Sequence, residues 1–200
     1  ARVQQELNLS DSQIASEYEM VFSSSVDSAV FDFNLVMGAI DEGGLYEPAE
    51  HSVIYIGVDP AGQGKDFAVA IALDVEEDEK GETIYTVCQM YRKKSGVSEQ
   101  HLNSVAQMIK SLNPIATAIE TNSMGQLWVE NIAGMKYTKN ILGVATTASS
   151  KPVMIGRLQI ALERGVLRIP RGPIIDELLA FRRTDSGKLE AGGNAQDDTV

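Results

Sequence analysis

The sequence predicts an α/β protein: a mixed central sheet with helices on both faces. Three observations carry this. Apolar, strand-like runs come in succession at Val53–Asp59, 67–73 and 84–91, with turn residues between them. From Ser98 onward, stretches of helical periodicity alternate with short apolar runs. The length of 200 residues, with 44% hydrophobic and 22% charged side chains, suits one sizeable core of ordinary globular composition.

The elements follow in order. Ser10-Asp11 can cap a helix running through Ile14, Tyr18 and Phe22. Residues 23–50 are mixed, and Gly43-Gly44 with Pro48 mark a linker. The first two strand runs are nearly continuous apolar segments, the pattern of central strands covered on both faces. The third alternates more. Between them, Glu76-Glu77-Asp78-Glu79-Lys80-Gly81 reads as a solvated hairpin turn. Ser98 caps a helix with the stripe Leu102, Val105, Ala106, Ile109 and Leu112, and Pro114 follows its end. Next come a strand at Ala116–Glu120, a helix around 127–132 and a strand at 141–145. Pro152 opens a helix with Met154, Leu158, Ala161 and Leu162 on one face, and Gly165 suits its carboxyl-terminal cap. A short strand at 166–169, a helix at 174–181 and half a hairpin at 188–191 complete the chain. There is no internal repeat and no low-complexity tract.

Composition excludes several classes. A single cysteine, Cys88, forbids an internal disulfide and fits a reducing compartment; its apolar surroundings predict a buried, inert thiol. No apolar stretch approaches the ~20 residues of a membrane span, so no membrane partner is expected, and no signal peptide is visible. The chain begins at Ala1 and stops at Val200, in what reads as the first turn of a helix, so a piece of something longer is expected. The net charge of −11 argues against a nucleic-acid partner, but its distribution does not. Residues 1–50 hold ten acids against Arg2 alone, a net of −9; residues 151–183 hold seven basic residues against three acids, a net of +4. A local basic face can grip phosphates on an acidic molecule.

The chemistry concentrates in acids at element ends. Asp59 closes the first strand, Glu120 closes the fourth, and Asp197-Asp198 follow Gly192-Gly193-Asn194-Ala195-Gln196. A carboxylate on an apolar strand is costly to bury unless it is paired or binds a cation. One such acid would read as a surface charge. Three positions at strand or helix ends, without lysine or arginine beside them, point to a shared site for hard metals. Oxygen-only ligands suit two Mg²⁺ or Mn²⁺ rather than zinc, and such sites cut phosphodiesters by a two-metal route. Asp59, ending a rigid central strand, is the natural bridging ligand. Lys65 or Lys151 could contact the scissile phosphate, while Arg157 and Arg171 could hold the DNA backbone.

Other features weigh less. Gly62-Gln63-Gly64-Lys65-Asp66 lacks both the leading glycine and the closing Ser/Thr of a phosphate-binding loop, and reads as a hairpin. His51 and His101 are isolated, with His101 expected on a helix surface. Trp128 is expected in the core, and Ser23-Ser24-Ser25 has no nucleophile context.

Three antiparallel strands followed by helix–strand–helix–strand is the order of the ribonuclease H fold, in which the first strand, the fourth strand and a late helix each bring an acid to one edge of the sheet. The residues go further. Ile56-Gly57-Val58-Asp59-Pro60-Ala61-Gly62-Gln63-Gly64-Lys65-Asp66 resembles the first nuclease motif of the large subunit of viral (bacteriophage) DNA-packaging terminases. Ala118-Ile119-Glu120-Thr121-Asn122 resembles the second, and Gln196-Asp197-Asp198-Thr199-Val200 the third. Lys151-Pro152 leading to Arg157-Leu158, then Gly165-Val166-Leu167, is similar to the stretch between the last two motifs.

The resemblance covers about residues 51–200 and implies a ribonuclease H-like nuclease domain. Residues 1–50, with Glu17-Tyr18 and Phe22, then resemble the end of the ATPase domain and its linker helix. It implies a metal-dependent endonuclease that cuts concatemeric viral double-stranded DNA during genome packaging in the host cell cytoplasm. Asp59, Glu120, Asp197 and Asp198 would bind the two cations. The ATPase domain of the full-length chain, a portal and a small terminase subunit would be its partners. Two other classes remain open: another nuclease of the same fold, such as a junction resolvase or transposase core, and an ATPase of the actin and sugar-kinase fold. A binding module that kept the fold without catalysis is disfavoured by the intact acids.

Overall fold

The computed structural model describes residues 28–60, 67–94, 98–122, 124–136, 138–184, 186–192 and 199. The predicted helix through Ile14, Tyr18 and Phe22 and the glycine-rich turn at 61–66 lie outside them. In chain order the elements are α1 (Phe33–Gly38), β1 (Ile40–Asp41), β2 (Val53–Asp59), β3 (Ala68–Glu77), β4 (Thr83–Lys93) and α2 (Ser98–Leu112). Then follow β5 (Ala116–Glu120), α3 (Gly125–Ala133), β6 (Ile141–Val144), α4 (Ser150–Glu163), β7 (Leu167–Pro170), α5 (Pro173–Ala180), β8 (Phe181–Arg183) and β9 (Leu189–Ala191).

Seven strands form one sheet in the order β1-β7-β4-β3-β2-β5-β6, and β8 with β9 forms a separate hairpin. β2, β3 and β4 pair antiparallel, as successive strands joined by short connections can. β5 adds parallel to β2, and β6 parallel to β5, each after a helical crossover. At the other edge β7 pairs parallel with β4, and β1 with β7. The sheet is therefore mixed, and six of its seven strands, β2 to β7, come in the predicted order along the chain.

Period-two alternation divides the core. Ile54, Ile56, Val58, Ala68, Ala70, Ala72 and Ile119 point to one face, where Val105 and Ile109 of α2 and Trp128 and Ile132 of α3 cover them. Cys88 is fully buried there, as expected, and burial pushes its thiol pKa up. On the other face Ile71, Leu73 and Val87 pack under Val36 of α1, Ile155 and Leu162 of α4, and Ile174 and Leu178 of α5. Helices cover both faces, as predicted.

Three departures from the sequence reading have physical causes. First, α1 and β1 occupy a stretch assigned no element. Asp32 caps α1 by accepting from the backbone N–H groups of Asn34 and Leu35 at 2.8 and 3.1 Å, and Phe31 and Val36 are core residues. Six helical residues and a two-residue strand are too short for periodicity to register. Second, β2 is not covered on both faces: its residues alternate exposed and buried, with Val53 and Tyr55 each 41% exposed. Third, His101 is buried rather than on the surface of α2. Its Nδ1 lies 2.7 Å from the Tyr91 hydroxyl, which supplies the polar partner burial requires.

Candidate active site

The parallel pairing of β2 with β5 builds the site. Gly57 is the partner of Ala118 and Val58 of Ile119, so the next step in the register sets Asp59 beside Glu120 at the carboxyl ends of neighbouring strands. Val58 and Ile119 are buried in the core, so alternation turns Asp59 and Glu120 together onto the opposite, open face. That face stays open there: Val53, Tyr55 and Gly57 of β2 and Leu142 of β6 are exposed on it, and Met154 and Ile155 of α4 border the space that is left. The gap is a cleft of about 420 Å³ bounded by Gly57, Asp59, Ala118, Glu120, Lys151 and Thr199.

Glu120 is held from below. The Asn122 side-chain amide donates to Glu120 Oε1 and to the Thr146 carbonyl, both at 2.9 Å, which ties the end of β5 to the segment after β6. Gly125 opens α3 against the same strand end: a Cβ there would stand 1.7 Å from the Glu120 carbonyl oxygen, so only glycine permits this approach. Just beyond Thr146, Thr147 and Ser150 cap the first turn of α4 reciprocally, each backbone N–H donating to the other's hydroxyl at 2.9 and 3.0 Å. That turn presents Lys151, whose Nζ also lies 5.3 Å from the Phe181 ring centroid.

The floor of the cleft is tied to a buried ion pair. Glu177 on α5 is 4% exposed, and its Oε1 accepts from Arg92 at 2.5 Å. Its Oε2 accepts from the Thr199 backbone N–H at 2.7 Å and from the Thr199 hydroxyl at 2.5 Å. The Arg92 guanidinium stacks 3.4 Å from the Phe67 ring centroid. Partial burial, and then the Glu177 charge, hold the neighbouring Asp176 carboxyl above its usual range.

Of the sequence-derived candidates, Asp59, Glu120 and Lys151 share the cleft. Lys65, Asp197 and Asp198 lie outside the described residues. Arg157 is on α4 but does not line the cleft. Arg171 follows β7, beyond the far side of the β2–β4 meander, where it makes a bidentate pair with Glu42 at 2.7 and 3.1 Å. Among the described residues no group of three or more His, Cys, Asp or Glu is placed to hold a metal ion. Asp59 and Glu120 nonetheless offer oxygen ligands from two rigid strands at one open cleft, a donor set that fits Mg²⁺ or Mn²⁺. Sequence reasoning missed Asn122, Glu177 and Thr199. Glu177 carried a readable signal: a carboxylate flanked by Ile174, Ile175 and Leu178 in an apolar helix, the same anomaly that marked Asp59.

The fold and the sequence agree with one family. Among solved structures, the large terminase nuclease from thermophilic phage G20c superposes with a TM-score of 0.66 at 21% identity, covering 86% of this chain and 92% of that one. The same nuclease with bound cobalt gives 0.65 at 18% identity, over 86% and 93% of the two chains. The P22 large terminase nuclease domain gives 0.60 at 14% identity, over 86% of each. No curated protein sequence matches. The family profile described as the terminase RNaseH-like domain matches residues 56–198, a span that opens three residues before Asp59 and closes on Asp198. The chain belongs to the terminase RNaseH-like domain family.

Proposed function

We propose that this domain is a divalent-metal-dependent endodeoxyribonuclease that cuts concatemeric viral double-stranded DNA during genome packaging. The observation that carries this is the side-by-side placement of Asp59 and Glu120 at parallel strand ends, facing one cleft that Lys151 also lines. Asp59, Glu120 and the Asp197-Asp198 pair would hold two Mg²⁺ or Mn²⁺, which supply Lewis-acid charge at the phosphate and a water acidic enough to attack at neutral pH. Asp59, at the end of a central strand, is the ligand suited to bridge both. Asn122 fixes the Glu120 carboxylate, so little reorganisation is needed on binding. Gly57 and Ala118 also line the cleft, and their small side chains would leave room for a phosphate backbone. Lys151 would neutralise the scissile phosphate, with Lys65, Arg157 and Arg171 as candidates for contacts along the strand. The cobalt-bound G20c nuclease supports divalent-metal use by this fold.

In the same reading, residues 51–200 are the nuclease and residues 1–50 lead in from the ATPase domain and its linker, the end of that segment, α1 and β1, packing onto the nuclease sheet. The partners are duplex DNA, the ATPase domain, a portal and a small terminase subunit, in the host cell cytoplasm.

Plasmid cleavage is the test. Supercoiled plasmid should be nicked and linearised with Mg²⁺ or Mn²⁺ and left intact with EDTA. Asp59→Ala and Glu120→Ala should remove cutting while the metal-free melting temperature holds or rises, since neighbouring carboxylates repel one another without a cation. Cleavage at the wild-type rate by Asp59→Ala, or full activity in EDTA, would refute the assignment.

A further inference from the structure

Two cations outside the basic 151–183 segment stand at the same end of the sheet as Asp59 and Glu120. Register carries one row across that end: Asp59 is the partner of Val69, and Val69 of Arg92. Val69 borders the cleft, and Arg92 turns to the same side, where Glu177 of α5 meets its charge. Beyond Arg92, Lys93 closes β4 and Lys94 follows it, both exposed. Among the described residues neither lysine makes an ion pair, whereas Arg164, Arg171 and Lys188 each pair with a glutamate. Lys94 is held in place all the same. Its Nζ lies 5.1 Å from the centroid of the Phe67 ring, the ring on which Arg92 stacks at 3.4 Å. Sharing that ring with Arg92 puts Lys94 on the cleft side. Lys93, opposite the buried Ala68, turns toward α2, so the two lysines straddle the strand end. A cation already held over an aromatic ring has less side-chain freedom to lose when it takes an anionic partner.

We propose that the end of β4, Lys94 over Phe67 with Lys93 beside it, is a second phosphate-contact point for duplex DNA, laying the duplex across the ends of β5, β2, β3 and β4. The proposal rests on the nuclease reading above. Neighbouring strands run about 4.8 Å apart, so the end of β4 stands roughly 10 Å from Asp59 across the sheet. Phosphates of one DNA strand follow one another at about 3.4 Å along the helix axis. A strand with its scissile phosphate between Asp59 and Glu120 would therefore bring a phosphate to Lys94 about three or four nucleotides away. Lys151 lines the cleft itself, so the two contacts would hold the strand at the cut and beyond it.

The test follows the fluorescence anisotropy of a labelled duplex at several salt concentrations, in EDTA to hold back cleavage. Lys93→Ala combined with Lys94→Ala should weaken binding roughly tenfold or more near 0.1 M salt, and lower the slope of log affinity against log salt by about two, one for each phosphate contact. Lys93→Arg with Lys94→Arg keeps the charge and should keep the slope. Lys136 and Lys139 are exposed ahead of β6, which runs parallel to β5, so they lie at the opposite end of the sheet. Lys136→Ala with Lys139→Ala removes the same charge there and should leave the slope near wild type. In plasmid cleavage the Lys93/Lys94 alanine pair should raise KM and leave kcat near wild type. A wild-type slope and KM in that pair, with plasmid still cut, would overturn the proposal and leave the nuclease reading standing. Equal losses from the two alanine pairs would trace the effect to net charge and overturn it as well, as would a fall in kcat with the slope unchanged. Should the wild type cut plasmid without retaining the labelled duplex at the lowest salt, the KM comparison decides. A wild type that neither retains duplex nor cuts plasmid would overturn the nuclease reading and this proposal together.

Discussion

Asn122 is a small residue with a large geometric task. Its amide joins Glu120 to the Thr146 carbonyl, so the carboxylate keeps one orientation while the strand end is tied to the wall of the cleft. Asn122→Ala should reduce cleavage about tenfold at limiting metal, with little change at saturating metal, because the orientation lost can be offset by mass action. A metal-independent loss would instead mean that Asn122 touches the reacting groups. Asp59 and Glu120 were legible in the sequence because a charge closing an apolar run is anomalous. Asn122 was not, because an asparagine after a strand is an ordinary turn residue. Glu177 was legible in principle, a carboxylate beside Ile174, Ile175 and Leu178 in an apolar helix, although residue counting enters it only as one of three acids in the basic segment.

At the level of elements, the strands and helices from β2 to α5 follow the predicted order, β9 falls on the predicted half-hairpin, β8 was not anticipated, and β2 and β5 match in their bounds. Long periodic segments announce themselves; the short α1 and β1 do not. The open face of β2 was illegible for a different reason. An apolar run reports what a strand could bury, whereas the elements packed on the sheet decide what it does bury: Ile71 and Leu73 of β3 join the core with α4, and Val53 and Tyr55 of β2 stay exposed. That difference leaves room for the cleft. Among the described glycines the closest approach is where α3 starts against β5. Gly125→Ala would drive a methyl group into the Glu120 carbonyl, and backbone cannot rotate aside as a side chain can. The expected cost is about 3 kcal/mol, read by urea unfolding, with cleavage impaired even where the protein remains folded. A loss within ~0.5 kcal/mol would show that α3 has slack at its start.

For the whole molecule, charge is segregated, but much of the basic segment is already spoken for. Arg164 pairs with Glu82, Arg171 with Glu42, and Arg182 donates to the carbonyls of Leu179 and Phe181. With a net charge of −11, the isolated domain should therefore bind duplex weakly and without sequence preference, and cleavage should fall with salt. Arg157→Ala should lower the slope of log affinity against log salt by about one and leave cut-site choice unchanged. Gel shifts at several salt concentrations check both; tight, salt-insensitive binding would contradict them. The parallel ladder between β2 and β5 has a last consequence. Hydrogen-bonded strands run about 4.8 Å apart whatever their side chains, so the separation of the Asp59 and Glu120 backbones is a ruler cut by peptide geometry. A chain can change nearly all its sequence and keep that ruler, provided it still folds the sheet and leaves an acid on each of the two rungs.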